Sequence, residues 1–234
     1  PGDKTLGTMP DTVNLFDKVA RRYDSLNTFF SMGMDRLWRR RLAKAVSGSK
    51  TVLDIATGTG EVAIETVDVL PEARVFGVDP SSEMLLLARK KIVSRGLSER
   101  ISLARSRAEE LPFKDGSFDA VTIAFGIRNT VDPALSLSEM RRVLRPGGKA
   151  AVLEFAIPRQ KLFAPLYLFY FKNILPLVGS IFGTKSEYKY LSDSTSAFPQ
   201  REKFLDLMEE SGLTPEKSVE MMLGIVILYT GVKR

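Results

Sequence analysis

Cysteine and histidine are both absent from the 234 residues, and that double absence narrows the chemistry before any motif is read. Without cysteine there is no disulfide, no thiolate nucleophile and no zinc-thiolate site. Without histidine, acid-base work falls to carboxylates, Tyr, Lys, Arg or water. The lack of cysteine suits a reducing cytosol. Long apolar runs are missing too. The most lipophilic stretch, residues 162–171 followed by 174–182, is broken by Pro165, Lys172 and Pro176, and a membrane span needs about 20 continuous apolar residues. Residues 1–10 are polar and do not read as a secretory signal. Internal repeats and low-complexity tracts are absent as well.

What is present is enough apolar material, 44% of residues, for one full core. The net charge of +6 is unevenly spread. Residues 1–50 hold ten Lys and Arg against five Asp and Glu, whereas 51–155 hold fourteen against fifteen. Arg36, Arg39, Arg40 and Arg41 surround Trp38, the single tryptophan, on an expected helix. That composition suits an anionic surface, and equally a solvated helical face anchored to the core by Trp38.

Along the chain, apolar spacing predicts helices over 13–23 and 35–46, then strands and helices in alternation: strand 52–55, helix 61–70, strand 73–79, helix 81–94, a strand near Ile101, strand 118–125, helix 133–144, strand 149–155. Alternation of this kind implies a parallel sheet covered by helices on both faces. A last helix, 201–211, precedes two apolar runs, 213–222 and 224–232, which read as a hairpin added at the sheet edge. The boundaries suggest an N-terminal helical segment over 1–48 and a main domain over 49–234, interrupted at about 160–195 by an apolar helical cap that lines a lipophilic substrate pocket, rests on the membrane interface or packs as a core helix pair.

The sequence Leu53-Asp54-Ile55-Ala56-Thr57-Gly58-Thr59-Gly60, followed by Asp79 at the end of the next strand, carries the chemistry. A glycine turn after one strand and an acid closing the next form a nucleoside pocket, the acid accepting hydrogen bonds from ribose hydroxyls. Gly58, Gly60 and Ala63 also fit a dinucleotide fingerprint. Asp54 tips the balance, because a carboxylate beneath the loop repels a diphosphate and suits the ammonium and sulfonium of S-adenosylmethionine.

Three further segments identify a resemblance. Val19 to Asn27, Ala124-Phe125-Gly126-Ile127-Arg128-Asn129, and Tyr190-Leu191 with Ser194 and Phe198-Pro199 closely resemble the ubiquinone/menaquinone biosynthesis C-methyltransferases, from about Asn14 to the C-terminus. The resemblance implies an α/β class I S-adenosylmethionine-dependent methyltransferase with a Rossmann-like seven-stranded sheet and an antiparallel C-terminal strand. It implies a polyprenylated quinol as acceptor, a cytoplasmic protein touching the inner membrane face peripherally, and neither nucleic acid nor metal. A homo-oligomer is compatible with it. Cofactor contacts are expected at Asp54, Gly58, Thr59, Gly60, Asp79, Arg107, Ala108 and Ala124. The position of Arg107 usually holds Asp or Asn, so the side chain that would accept from the adenine amino group is missing here. Arg128, Asn129 and Tyr23 are the expected catalytic residues, Arg128 stabilising a phenolate, Asn129 orienting it and Tyr23 closing the pocket, while Asp24 braces its helix.

Overall fold

The computed structural model describes residues 31, 33–161, 163–169 and 185–234. The expected helix over 13–23, Tyr23 and Asp24, and the run 174–182 lie outside the described residues.

Alternation along each strand decides which side chains face which layer. Val52 and Leu53, Ala120 and Val121, Ala151 and Val152, and Ile227 and Leu228 divide between two buried clusters, one on each side of the sheet. The strands are β1 (Thr51–Ile55), β2 (Arg74–Asp79), β3 (Ile101–Arg105), β4 (Phe118–Ala124), β5 (Leu144–Phe155), β6 (Thr214–Met221) and β7 (Val226–Val232). They form one seven-stranded sheet in the order β3-β2-β1-β4-β5-β7-β6. The pairs from β3 through β5 are parallel, and β7 is antiparallel to both β5 and β6. The reversed strand is thus interior and β6 forms the edge. The hairpin docks on β5 by its second, more apolar strand, because β7 is buried over most of its length and β6 is largely exposed.

Helices α1 (Met34–Ala45), α2 (Glu61–Val69) and α3 (Ser82–Ser94) supply Trp38 and Leu42, Val62 and Val67, and Ala88 and Ile92 to one cluster. Helices α4 (Pro133–Val143) and α7 (Glu202–Glu210) supply Leu137, Met140, Phe204 and Met208 to the other. The insertion contributes α5 (Phe163–Phe169) and α6 (Lys185–Ala197). Helix starts follow their caps. Ser81 accepts from the Met84 amide at 3.0 Å and Asp132 from the Leu135 amide at 3.0 Å, with Pro133 in the first turn. The largest departure from the expected boundaries is at β5, which begins at Leu144, paired with Phe118, before a register shift after which pairing resumes at Ala120 and Lys149. Arg145 to Gly148 therefore bulge within the strand instead of preceding it.

The basic stretch of α1 is mostly neutralised by neighbours. Trp38 is buried edge-on to Phe125 and Phe155. Arg39 pairs with Asp35 at 2.7 Å, and Arg36 and Arg40 lie 3.6 and 3.7 Å from Glu65. Trp38 therefore anchors the helix to the core, Arg39 is largely covered beside Asp35, and Arg36 and Arg40 lie on the outer face.

Candidate active site

The strand order reverses between β1 and β4, and ligands of open α/β sheets bind at the carboxyl ends of the strands at such a point. A cleft of about 790 Å³, counting space open to solvent, lies there, with walls that include Ala56, Gly58, Asp79, Ala108, Ala124 and Asn129.

The floor is the glycine loop. Gly58 and Gly60 have φ of 55° and 85°, the left-handed region that glycine enters without cost. A Cβ on Gly60 would lie 3.2 Å from Ala88 Cβ, so the loop and α3 meet closely. The Gly58 amide donates to Asp79 Oδ2 at 2.9 Å, and the Ser81 amide donates to Asp79 Oδ1 at 2.9 Å. Asp79 is thereby fixed between loop and helix with its carboxylate at the cleft wall. The amide that a pyrophosphate would use is already committed to a carboxylate. The nearby ammonium of Lys91 is engaged as well, by Glu61 at 2.6 Å and Thr59 Oγ1 at 3.0 Å. Donors and charges of this kind fit S-adenosylmethionine, which has ribose hydroxyls and positive charge but no phosphate.

Asp54 is 1% exposed and sits beneath the loop, outside the cleft lining. Its two oxygens accept from Thr57 Oγ1 at 2.6 Å and Thr122 Oγ1 at 2.8 Å. Burial pushes its pKa up to about 7, with the Thr57 and Thr122 hydroxyls opposing the rise and Asp79 adding to it. Thr59 and Gly60 also lie outside the lining. Of the expected cofactor residues, then, Gly58, Asp79, Arg107, Ala108 and Ala124 line the cleft, and Asp54, Thr59 and Gly60 shape the loop beneath. The side chain of Arg107 is mostly exposed and lies 3.7 Å from Glu109. Ser106 Oγ donates to the carbonyls of Arg107 and Glu110, closing the small turn that presents Ala108.

The opposite wall is the end of β4 and the 3-10 turn Ile127–Asn129. Phe125 has φ of 55° and stacks on Phe155 with centroids 4.4 Å apart. Its carbonyl accepts from Arg128 Nη1 at 2.7 Å and from Asn129 Nδ2 at 3.2 Å. These bonds, with the Phe125 amide donating to the Leu153 carbonyl at 2.7 Å, hold a backbone conformation that costs a bulky residue about 1–3 kcal/mol. Asn129 lines the cleft and Arg128 does not.

Arg128 has a partner that sequence reading missed. Nη1 lies 2.6 Å from Oε1 of Glu154, and the two side chains are 5% and 1% exposed. Glu154 Oε1 also accepts from the Phe155 amide at 2.8 Å. Burial raises the Glu154 pKa, with Arg128 opposing. Arg128 Nε and Glu154 Oε2 have no hydrogen-bond partner among the described residues. A buried acid one residue before the end of β5, beside the β4 exit, was the available signal. Asn129 Oδ1 in turn accepts from the Tyr190 hydroxyl of α6 at 3.1 Å. Tyr23 lies outside the described residues.

Comparison with known proteins agrees with this geometry. Residues 8–233 match the ubiE/COQ5 methyltransferase family. The chain is 45% identical over 223 residues to the ubiquinone/menaquinone biosynthesis C-methyltransferase UbiE of Geobacter sulfurreducens, covering 94% of this chain and 87% of that one. It is 46% identical over 223 residues to the protein of the same name from Bdellovibrio bacteriovorus, covering 93% and 94%. Among solved structures, a SAM-dependent methyltransferase from Aquifex aeolicus superposes with a TM-score of 0.63 at 17% identity, covering 97% of this chain and 100% of that one, a likeness of fold. The cleft with Asp79 fixed at its wall, the class I strand order and the near-complete match in sequence have one reading, that the chain belongs to the ubiE/COQ5 methyltransferase family.

Proposed function

We propose that the chain transfers a methyl group from S-adenosylmethionine to a ring carbon of a polyprenylated quinol, with demethylmenaquinol as acceptor and menaquinol as product. One observation carries this reading: the segment Phe125 to Asn129, shared with the quinone-biosynthesis methyltransferases, stands at the wall of the cofactor cleft with an amide facing it and a buried guanidinium beside it. The relatives described above are named as C-methyltransferases of ubiquinone/menaquinone biosynthesis, which supports it.

In this reading Asp79 accepts from the ribose hydroxyls and backbone groups at Ala108 hold the adenine. Gly58, Arg107 and Ala124 complete the cofactor wall, and Asp54, Thr59 and Gly60 hold the loop. When bound, the cofactor supplies an electrophilic methyl. The acceptor must bring electron density to one ring carbon, and loss of the proton from the adjacent hydroxyl provides it. The new carbon-carbon bond forms as the sulfur-carbon bond breaks. The ring carbon then loses its hydrogen as a proton, restoring aromaticity.

A phenol of ordinary pKa, near 10, needs help to ionise at neutral pH, and Arg128 supplies it. Its Nε-H is buried behind the cleft wall and has no partner among the described residues, so in this reading the entering ring must open that wall for it to donate to a phenolate oxygen. Glu154 offsets its net charge, so a directed hydrogen bond matters more here than a long-range field. Water takes the proton and Asn129 orients the ring hydroxyl. The acceleration comes mainly from alignment and exclusion of water.

The protein works in the cytoplasm and touches the inner membrane face peripherally. Phe169, 59% exposed at the end of α5, belongs to the apolar insertion suited to that contact. Among the described residues no helix is long and apolar enough to cross a membrane.

The test offers the protein S-adenosylmethionine with a demethylmenaquinol analogue and, separately, the corresponding benzoquinol, and reads product mass. Methylation of the naphthoquinol is expected. Preference for the benzoquinol would reassign the acceptor, and methylation of neither would remove the reading. Arg128→Ala should abolish most turnover with cofactor binding nearly intact, and normal turnover in that variant would end its assigned role.

A further inference from the structure

The cap helix α6 reaches the cofactor cleft through a hydrogen bond from Tyr190. Its C-terminal end is tied down separately: Gln200 Nε2 donates to the Thr195 carbonyl at 2.6 Å and Gln200 Oε1 accepts from the Ile157 amide at 2.9 Å. Phe198 is buried against Phe204, centroids 5.4 Å apart. Tyr190 lies seven residues before the last helical residue, Ala197, a distance of about 10 Å along a helix axis. There its hydroxyl donates to Asn129 Oδ1.

An Asn side chain can be turned over at little cost unless both of its ends are engaged. Here both are. Nδ2 donates to the Phe125 carbonyl and Oδ1 accepts from Tyr190. A flipped amide would set an oxygen against the Phe125 carbonyl oxygen, so that carbonyl selects the orientation, and the Tyr190 hydroxyl holds the other end of the amide in place. Only one orientation satisfies both neighbours. Arg128 holds the same carbonyl from its other side at 2.7 Å, so the Phe125 oxygen cannot move aside.

We infer that Tyr190 is a positioning residue for methyl transfer: from the cap helix it holds the Asn129 amide in the orientation that the Phe125 carbonyl selects, so that the amide's remaining N–H and oxygen lone pair meet an incoming ring hydroxyl in fixed directions. Desolvation raises the Tyr190 pKa, outweighing the lowering by Arg128, and this keeps the phenol protonated as the donor throughout the neutral range. The role needs a hydroxyl at that point and not merely a ring, which separates it from packing. It rests on the proposed methylation of a quinol beside Asn129.

The decisive variant is Tyr190→Phe, which keeps the ring and removes the donor. Turnover with a saturating demethylmenaquinol analogue should fall about tenfold, the effect of one hydrogen bond to an orienting group, with the dissociation constant for S-adenosylmethionine unchanged. In the Asn129→Ala background, the same substitution should have no further effect on kcat, because the residue through which it acts is gone. Additive losses, or wild-type kcat in Tyr190→Phe, would overturn the inference. An NMR readout is independent of the acceptor: the Asn129 side-chain amide should show two resolved, slowly exchanging protons in the wild-type protein with cofactor bound, and altered shifts in Tyr190→Phe. An unchanged amide signal sinks the inference even if no quinol is methylated. Failure of the wild-type protein to methylate any quinol, with the amide signal changed as expected, removes the proposed acceptor and leaves the lock standing.

Discussion

At the scale of single residues, two buried acids govern how this protein responds to pH and to mutation. Asp54 has a folded-state pKa of about 7 against an ordinary 3.8, so between those values the folded chain binds a proton that the unfolded chain has released. Stability therefore falls as pH rises across that window and stays lowest above it. Asp54→Asn removes the titration. Denaturant unfolding of the cofactor-free protein at pH 5.5 and pH 8 should show the wild type losing more than 1 kcal/mol on going to the higher pH, at about 1.4 kcal/mol per displaced unit, while the variant loses much less. Equal losses would mean that Asp54 does not titrate there.

Glu154 poses the complementary case. Removing Arg128 alone leaves a buried, uncompensated carboxylate, at a cost of about 3–5 kcal/mol. Arg128→Ala should thus lower the unfolding midpoint sharply, and Arg128→Ala with Glu154→Gln should recover much of it without recovering turnover. If the double variant were as unstable as the single one, the ion pair would not be the cause. The sequence made Arg128 conspicuous, yet its partner lies 26 residues away and no spacing rule connects them. The pair forms only because β4 and β5 are neighbours whose ends rise together into the site.

At the scale of elements, the two strand-to-loop turns that face each other across the cleft depend on backbone contact. A Cβ on Gly126 would lie 2.6 Å from Ala56 Cβ and 3.2 Å from Ile123 Cγ1. Ala56 itself has φ of 51° and has little freedom to retreat. Gly126→Ala should push the β1 and β4 exits apart and weaken S-adenosylmethionine binding at least tenfold by calorimetry, about 1.4 kcal/mol. Unchanged affinity would show that the turns yield.

Most element boundaries were legible, because apolar periodicity and caps such as Ser81 and Asp132 are local signals. The bulge from Arg145 to Gly148 was not. Its strand character comes from pairing Leu144 with Phe118, and the Pro-Gly-Gly sequence by itself reads as a turn. Thr59 shows the same limit. Its place in the loop was legible, and its engagement with Lys91, 32 residues on in α3, was not.

At the scale of the whole molecule, folding and cofactor binding are linked through the loop, Asp79 and the start of α3. Cofactor at a hundred times its dissociation constant should add about 2.7 kcal/mol of stability. For a chain of this size that is a rise in the thermal midpoint of about 5–10 °C. A thermal shift with S-adenosylmethionine should show it, and a chain with no shift at saturating concentration would not be binding the folded state. The net charge of +6 gathers in the N-terminal segment and leaves the cofactor domain near neutral, so no overall acidic field draws a cationic ligand to the cleft.

The sequence by itself determined the order of strands and helices along the chain, the glycine loop with the acid that closes the next strand, and the family, because each depends on residue types at short, fixed spacing along the chain. Only the tertiary structure decided that Asp54 is sealed between two threonines, that Arg128 is bound to Glu154, and that Asn129 is held by Tyr190 from 61 residues away. Those pairings have one physical reason. A buried charge or amide must find its hydrogen-bond partners among whatever the packed layers bring near, and that neighbourhood exists only once the sheet has formed.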